Sequence, residues 1–191
     1  EVPRLQQKKE AADTTQVSVV DEDGNCVTMT HSLGMPSGVI TEGLGFMYNG
    51  CMGVFDPRPG RAGSIAPGKS RFSSVCPSIV FEEKRPKIVI GAPGGTQIAM
   101  GVLQAILNVL DHRMSMLEAV SAPRFSATSN AIDVVNRIPR MVQRAVEQMG
   151  YLVIRSHYSY TFGAVHGVLV DRDGSLKGGA DPSRDGMALA V

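Results

Sequence analysis

The run from Thr15 to Leu33, TQVSVVDEDGNCVTMTHSL, alternates polar and apolar residues on both sides of an Asp23-Gly24 pair. A period of two puts successive side chains on opposite faces of a strand and cannot make the apolar stripe of a helix. Asp-Gly favours the positive-φ conformations that a tight hairpin turn requires. The chain is therefore committed near its start to a β-hairpin over about residues 15–32.

The rest of the chain changes period several times. Residues 4–12, RLQQKKEAA, have helix-forming composition without a full apolar face and suggest an exposed tail or short helix. GVITEGLGFMYNG reads as short extended pieces punctuated by glycine. Residues 56–70, DPRPGRAGSIAPGKS, form a Pro/Gly-rich loop with Arg58, Arg61 and Lys69, and Arg71 just beyond. A loop of that length is either a binding loop or a solvated excursion. A second hairpin is expected from Ser78–Phe81 and Lys87–Gly91. TQIAMGVLQAILNVLDH has apolar residues at helical spacing and, being apolar around most of its circumference, predicts a buried helix. Two shorter helices follow, one stopped by Pro123 and one running from Pro139 to Gly150. Two final strands turn at Asp173-Gly174. Antiparallel hairpins around a block of helices make an α+β fold of layered sheets with helices outside.

With 191 residues, the chain can build one domain with a real core. A formal net charge of +1 and the absence of Trp give no support to nucleic-acid binding. Cys26, Cys51 and Cys76 are odd in number and widely spaced, which argues against a disulfide framework or a structural zinc site. The longest apolar stretch, near Ile98 to Leu110, is interrupted by Gln104 and Asn108 and is too short to span a bilayer. EVPRLQQKKEAAD lacks the apolar segment of a signal peptide.

Three places could carry chemistry. Thr14 and Thr15 stand at the head of the first strand. They are either strand-forming residues or the seam at which a precursor exposes a nucleophile. An N-terminal threonine brings its own base, because its free α-amine can take the hydroxyl proton. In GAPGGTQIAM a strand ends, Gly94 and Gly95 follow, and a helix begins. Such a turn is either a packing device or a cradle of free N–H groups for an anion or an oxyanion. It matches neither a Walker A loop nor a dinucleotide fingerprint. Ser73 and Ser74 in KSRFSSVCP could bind a substrate carboxylate or simply form a turn. His31, His112, His157 and His166 form no cluster in sequence, and Asp21 and Asp23 read as turn residues.

Taken together, TTQVSVVDEDGNCVTMTHSL, GLGFMYN, FSSVCPSIV, GAPGGTQI, LEAVSAPRF and GGADPSRDG, in this order from Thr14 to about Gly186, resemble the small subunit of the γ-glutamyltranspeptidase family of N-terminal nucleophile hydrolases. The resemblance implies a four-layer αββα sandwich completed by a large subunit from the same precursor. It implies self-cleavage between Asp13 and Thr14. Residues 1–13 then belong to the tail of the large-subunit segment or an uncleaved propeptide, and residues 14–191 form the catalytic subunit. Thr14 would attack a γ-glutamyl amide such as glutathione to form an acyl-enzyme, resolved by water or an amine. Ser32 falls where the family has a second hydroxyl supporting the nucleophile. Ser73 and Ser74 fall where it holds the substrate carboxylate, and Gly94 and Gly95 at its oxyanion hole. No metal or organic cofactor is implied, and the partners are the large subunit and a small amide, with neither nucleic acid nor membrane insertion. A periplasmic or secreted location is suggested by the resemblance alone.

The sequence departs from the family at three informative positions. Gly34 replaces an Asn two residues after the supporting hydroxyl. In NGCMGVF, Cys51 replaces an acidic or amide residue, and Val54 replaces the carboxylate that holds the substrate α-amine. Loss of an anion from an ammonium site removes a strong, charge-assisted hydrogen bond. Catalysis is therefore expected to survive better than classical glutamyl recognition. A related acylase acting on dicarboxylic or β-lactam side-chain amides is the alternative. A non-catalytic scaffold is a third reading, opposed by Thr14, Ser32, Ser73, Ser74, Gly94 and Gly95 all being in place. While the Asp13–Thr14 bond is intact, Thr14 has no free amine. Either the chain is a precursor awaiting cleavage, or it joins a remnant of the large subunit to the small one.

Overall fold

The first hairpin forms as the alternation requires, with β1 (Thr14–Val20) and β2 (Cys26–Ser32) paired antiparallel in unbroken register. Asp21 organises the turn by accepting the N–H groups of Asp23 and Asn25 at 3.0 and 2.8 Å, and Gly24 takes a φ of 81°. The Asn25 side-chain amide, which donates to the other carboxylate oxygen at 2.8 Å, holds the Asp21 carboxyl below its ordinary pKa, and the backbone N–H groups add to this. The computed structural model describes residues 14–191. The expected tail or helix at 4–12 and the proposed seam at Asp13 lie outside the described residues.

Beyond the hairpin come β3 (Pro36–Ile40) and β4 (Met47–Asn49), paired antiparallel, and a 3-10 turn over Cys51–Val54. A second hairpin joins β5 (Ser78–Glu82) to β6 (Arg85–Gly91). Its turn is tighter than the sequence suggests, because Glu83 and Lys84 both take positive φ, 50° and 67°. A 3-10 turn, Gly95–Gln97, leads into α1 (Ile98–Leu110), followed by α2 (Met116–Ser121). Ser115 caps α2 reciprocally: its hydroxyl accepts the Glu118 N–H, and the Glu118 carboxylate accepts the Ser115 N–H at 2.8 Å. Short strands β7 (Phe125–Ser126), β8 (Ile132–Val134) and β9 (Val153–Arg155) make a separate small sheet, with α3 (Arg140–Gln148) between β8 and β9. The chain ends with β10 (His166–Val170) and β11 (Leu176–Ala180).

The central sheet has the order β11-β10-β6-β5. Alternation along β6 divides its side chains between two neighbours. Ile88 and Ile90 enter the main core with Ile98, Val102 and Ala105 of α1, Met116 and Val120 of α2, and Leu169 of β10. The opposite face meets the β1–β2 hairpin, which contacts both β6 and β10. Gly179 lets α2 approach, since a Cβ there would lie 2.9 Å from the Leu117 N and Met116 backbone. Around the central sheet three layers are thus stacked, α1 and α2, the four-stranded sheet and the β1–β2 hairpin, with the β3–β4 pair and the β7–β8–β9 sheet outside this stack.

Two expectations change. α1 is buried on one face only: Ile98, Gly101, Val102, Ala105 and Val109 are buried, while Leu103, Leu107 and Leu110 are 48, 41 and 41% exposed. The all-round apolar composition therefore does not mean all-round burial among the described residues. The 56–70 loop is also better organised than its composition implies. The Asp56 carboxylate holds Arg58 through two 2.8 Å hydrogen bonds, and the buried Ser64 hydroxyl accepts the Arg61 N–H at 2.8 Å and donates to the Arg58 carbonyl.

Candidate active site

Thr14 and Ser32 are opposite each other across the open end of the first hairpin. Their hydroxyl oxygens are 2.7 Å apart. Ser32 Oγ also accepts the Gly34 N–H at 2.9 Å, which orients it and leaves its proton free to be donated to Thr14. Gly34 makes this turn with a φ of 70°. Thr15 points the other way, to the exposed face, opposite His31. The strand period therefore separates the two threonines into different environments.

The inward face of the hairpin is polar. Gln16 donates to Thr28 Oγ1 at 2.8 Å and accepts from Thr30 Oγ1 at 2.5 Å, and Thr28 donates to the Ile90 carbonyl at 3.1 Å. The Gln16 amide also lies directly over Gly91, where a Cβ would come within 2.3 Å of its Oε1. Ser18 and Thr28 thus sit beside Ile90, and Gln16 sits over Gly91. Thr14 is the next residue along the same face of β1, two positions before Gln16.

The turn that follows β6 is the glycine-rich segment. Gly94 is buried with a φ of 143°, and Gly95 is exposed with a φ of 57°. Among the described residues neither Gly94 N–H nor Gly95 N–H has an acceptor. Two unpaired N–H groups at the entry to a helix are competent to bind an anion or a developing oxyanion. Ser74 donates to the Gly95 carbonyl at 2.5 Å, so the serine pair is attached to this turn. Ser73 is exposed beside it and accepts the Val75 N–H at 3.3 Å.

Two of the departing residues, Gly34 and Cys51, lie close to Ser32, and Val54 ends the short turn that Cys51 begins. A Cβ at Gly34 would lie 3.0 Å from Cys51 Sγ, and the Cys51 thiol is 3.7 Å from the Leu33 carbonyl oxygen. The Cys51–Val54 turn is fixed there by Gly50, whose N–H donates to Leu33 O at 3.1 Å. A Cβ at Gly50 would meet the Met35 carbonyl at 2.5 Å, so only glycine fits. The nearest following carboxylate, Asp56, is occupied by Arg58, which holds its pKa below the ordinary value.

The histidines are dispersed. His166 is half-buried, and burial pushes its pKa down, with Arg124 and Arg184 acting in the same sense and Asp181 against it. Among the described residues no group of His, Cys, Asp and Glu could hold a metal ion. Sequence reasoning did not single out Gln16, Arg124, Gly163 or Asp181. Arg124 and Asp181 carried a signal, since each lies in one of the motif segments, SAPRF and GGADP. They form a buried ion pair in the structure.

The γ-glutamyltranspeptidase family model matches residues 2–191. The chain is 40% identical over 184 residues to the acylase ACY 1 proenzyme of Pseudomonas sp. (strain V22), covering 95% of this chain and 33% of that protein. It is 31% identical over 182 residues to the glutathione hydrolase proenzyme of Bacillus subtilis (strain 168), covering 93% of this chain and 31% of that protein. It therefore spans about a third of the length of these relatives. A crystal structure of a γ-glutamyltranspeptidase mutant from Helicobacter pylori superposes with a TM-score of 0.80 at 32% identity, covering 89% of this chain and all of that one. The similarity extends over the whole arrangement of hairpin, glycine turn and helices, and the chain belongs to the γ-glutamyltranspeptidase family.

Proposed function

We propose that this chain is the small, catalytic portion of a precursor-derived threonine amidohydrolase or acyltransferase, with Thr14 as nucleophile. The observation that carries the reading is the 2.7 Å contact between the Thr14 and Ser32 hydroxyls. Cleavage between Asp13 and Thr14 frees an α-amine, which takes the Thr14 proton as the oxygen attacks the amide carbonyl. Ser32 donates to Thr14 Oγ1. The Gly94 and Gly95 N–H groups receive the oxyanion, and Ser73 and Ser74 hold the substrate carboxylate, Ser74 turning its proton from the Gly95 carbonyl to the incoming anion. The resulting α-ammonium then gives its proton to the departing amine as the C–N bond breaks, and water or an acceptor amine, deprotonated in turn by the α-amine, displaces Thr14 Oγ1 and releases the acyl group. The substrate is a γ-glutamyl or related amide.

The partner is the larger portion of the same precursor, and the hairpin supports this. Val17, Val19, Val27 and Met29 on its outer face are 43, 49, 56 and 51% exposed, while its inward face is polar. A two-stranded sheet with its apolar side outward needs a covering layer. That layer would complete the four-layer αββα sandwich.

A second reading concerns the acyl group. The turn beside Ser32 offers a thiol and an apolar side chain, Cys51 and Val54, and Asp56 is tied to Arg58. Among the described residues of this turn and the segment that follows it to Asp56, nothing anionic is free to bind a substrate ammonium. This favours an acylase that accepts a dicarboxylic acyl group without an α-amine, such as a β-lactam side chain. The test is turnover of γ-glutamyl and glutaryl chromogenic amides by the processed protein, with Thr14→Ala as control. Glutaryl turnover alone selects the acylase. Absence of turnover of any amide, equal to the Thr14→Ala background, leaves only the scaffold reading.

A further inference from the structure

The glycine turn is not held by its own hydrogen bonds alone. Its backing is the segment Phe162–Ala164. A Cβ at Gly94 would lie 2.4 Å from the Gly163 Cα, so the two backbones touch. Ala164 N–H donates to the Pro93 carbonyl at 2.9 Å. Phe162 and Gly163 both take left-handed φ, 69° and 82°. For Phe this conformation is unfavourable, and a side chain only 1% exposed holds it there. A Cβ at Gly101 would meet the Phe162 carbonyl at 2.8 Å, so the first turns of α1 close on the segment from the other side.

A single guanidinium fixes this strained segment to the core. Arg124 is 2% exposed and donates to the Gly163 carbonyl at 2.9 Å and to the Val120 carbonyl, near the end of α2, at 2.6 Å. Its charge is met by Asp181, which is 0% exposed and forms a direct hydrogen bond with Arg124 Nη2. Asp181 is itself fixed: its N–H donates to the Val165 carbonyl at 3.0 Å, and its other oxygen accepts the Ser183 N–H at 2.8 Å. The path from Asp181 to Arg124 to Gly163 to Gly94 is continuous. Each link is a hydrogen bond or a backbone contact.

We infer that Arg124, held by Asp181, is a positioning residue for the Gly94–Gly95 turn: by fixing the Gly163 carbonyl it sets the surface against which the N–H groups of that turn are aligned. This rests on the amidohydrolase reading above for its catalytic purpose. Lysine cannot replace arginine here, because one ammonium cannot reach Val120, Gly163 and Asp181 in the planar arrangement of a guanidinium. Alignment of oxyanion donors acts on the transition state more than on substrate binding.

The test uses Arg124→Lys and the paired apolar replacement Arg124→Met with Asp181→Leu in the full processed protein. Replacing both partners of a buried pair by apolar residues often preserves folding, whereas removing one does not. Hydrogen exchange is read at the amides of Gln97 and Ala164, which bond to the Gly94 and Pro93 carbonyls, and in β1 and β2 as reference. Expected are exchange at least tenfold faster at Gln97 and Ala164 with the hairpin unchanged, and kcat at least tenfold lower with KM within twofold. Unchanged exchange at these amides in a folded variant overturns the inference, whether or not the wild type hydrolyses amides. A kcat within twofold of wild type, or a loss confined to KM, also overturns it. If wild type turns over no amide, the amidohydrolase reading fails and the catalytic role of Arg124 falls with it.

Discussion

The Thr14 hydroxyl lies 2.7 Å from the Ser32 hydroxyl, and the two residues are register partners at the open end of one hairpin. The contact is set by the strand pairing and refined by the Gly34 N–H on Ser32. It defines two substitutions of unequal effect. Thr14→Ala removes the proposed nucleophile and is expected to abolish turnover. Ser32→Ala leaves it in place but removes one hydrogen bond to a developing alkoxide. Such a bond is worth about 1.5–3 kcal/mol, so kcat should fall about 10- to 100-fold with little change in KM. Steady-state kinetics on a chromogenic amide checks both.

Gln16 over Gly91 predicts a stability coupling. Alanine at position 91 has no conformational objection in β6, yet its Cβ would displace the Gln16 amide. That amide is held by Thr28 and Thr30, so it cannot move without breaking those bonds. Gly91→Ala should destabilise by about 1–3 kcal/mol. In the Gln16→Ala background the same change should cost less than 1 kcal/mol, since its obstacle is gone. Urea unfolding of the two single variants and the double variant measures the coupling.

The pH response of stability has two windows. His166 is shifted down from its ordinary value of 6.5, chiefly by burial. The unfolded chain therefore binds more protons here than the folded one as pH falls through about 6.5. Stability from this group is full above that pH and is lost as the solution is acidified toward the lower folded pKa. Asp21, Asp56, Glu118 and Asp173 are also shifted down, each by hydrogen bonds to its carboxylate, and their contributions are lost only near and below pH 4. His166→Gln should flatten the fall in thermal midpoint between about pH 7 and 5.5 and leave the lower window unchanged. Thermal scans across this range decide it.

The legibility of this chain in sequence follows the physics of each element. Alternation and Asp23-Gly24 are local signals, so the first hairpin and its end residues could be read directly. Gly94 and Gly95 were visible for the same reason, since strand, glycines and helix are contiguous. The short strands β3, β4 and β7 to β9 are only two to five residues long and owe their pairing to distant partners, so no local period marks them as separate sheets. Arg124 and Asp181 are 57 positions apart, and only folding brings them together. The exposed leucines of α1 show the same limit: composition reports what a helix can bury, and the neighbours present decide what it does bury.

The turn beside Ser32 yields the sharpest test of substrate choice. Val54 ends the Cys51–Val54 turn and is 39% exposed, so a carboxylate there would be tolerated without repacking the core. Val54→Asp places an anion where the γ-glutamyl reading puts the substrate ammonium, independent of Asp56, which remains bound to Arg58. A charged hydrogen bond in a partly solvated pocket contributes about 1.5–3 kcal/mol. The ratio of kcat/KM for γ-glutamyl over glutaryl amides should therefore rise about 10-fold or more. The gain should come from improved γ-glutamyl turnover as well as weaker glutaryl binding. Cys51→Ser, which keeps size and adds no charge, should leave the ratio within about twofold, because without a new charge there is no new charged hydrogen bond to an ammonium. Competition kinetics with both amides in one vessel measures the ratio directly, and a ratio unmoved by Val54→Asp would place the ammonium site elsewhere.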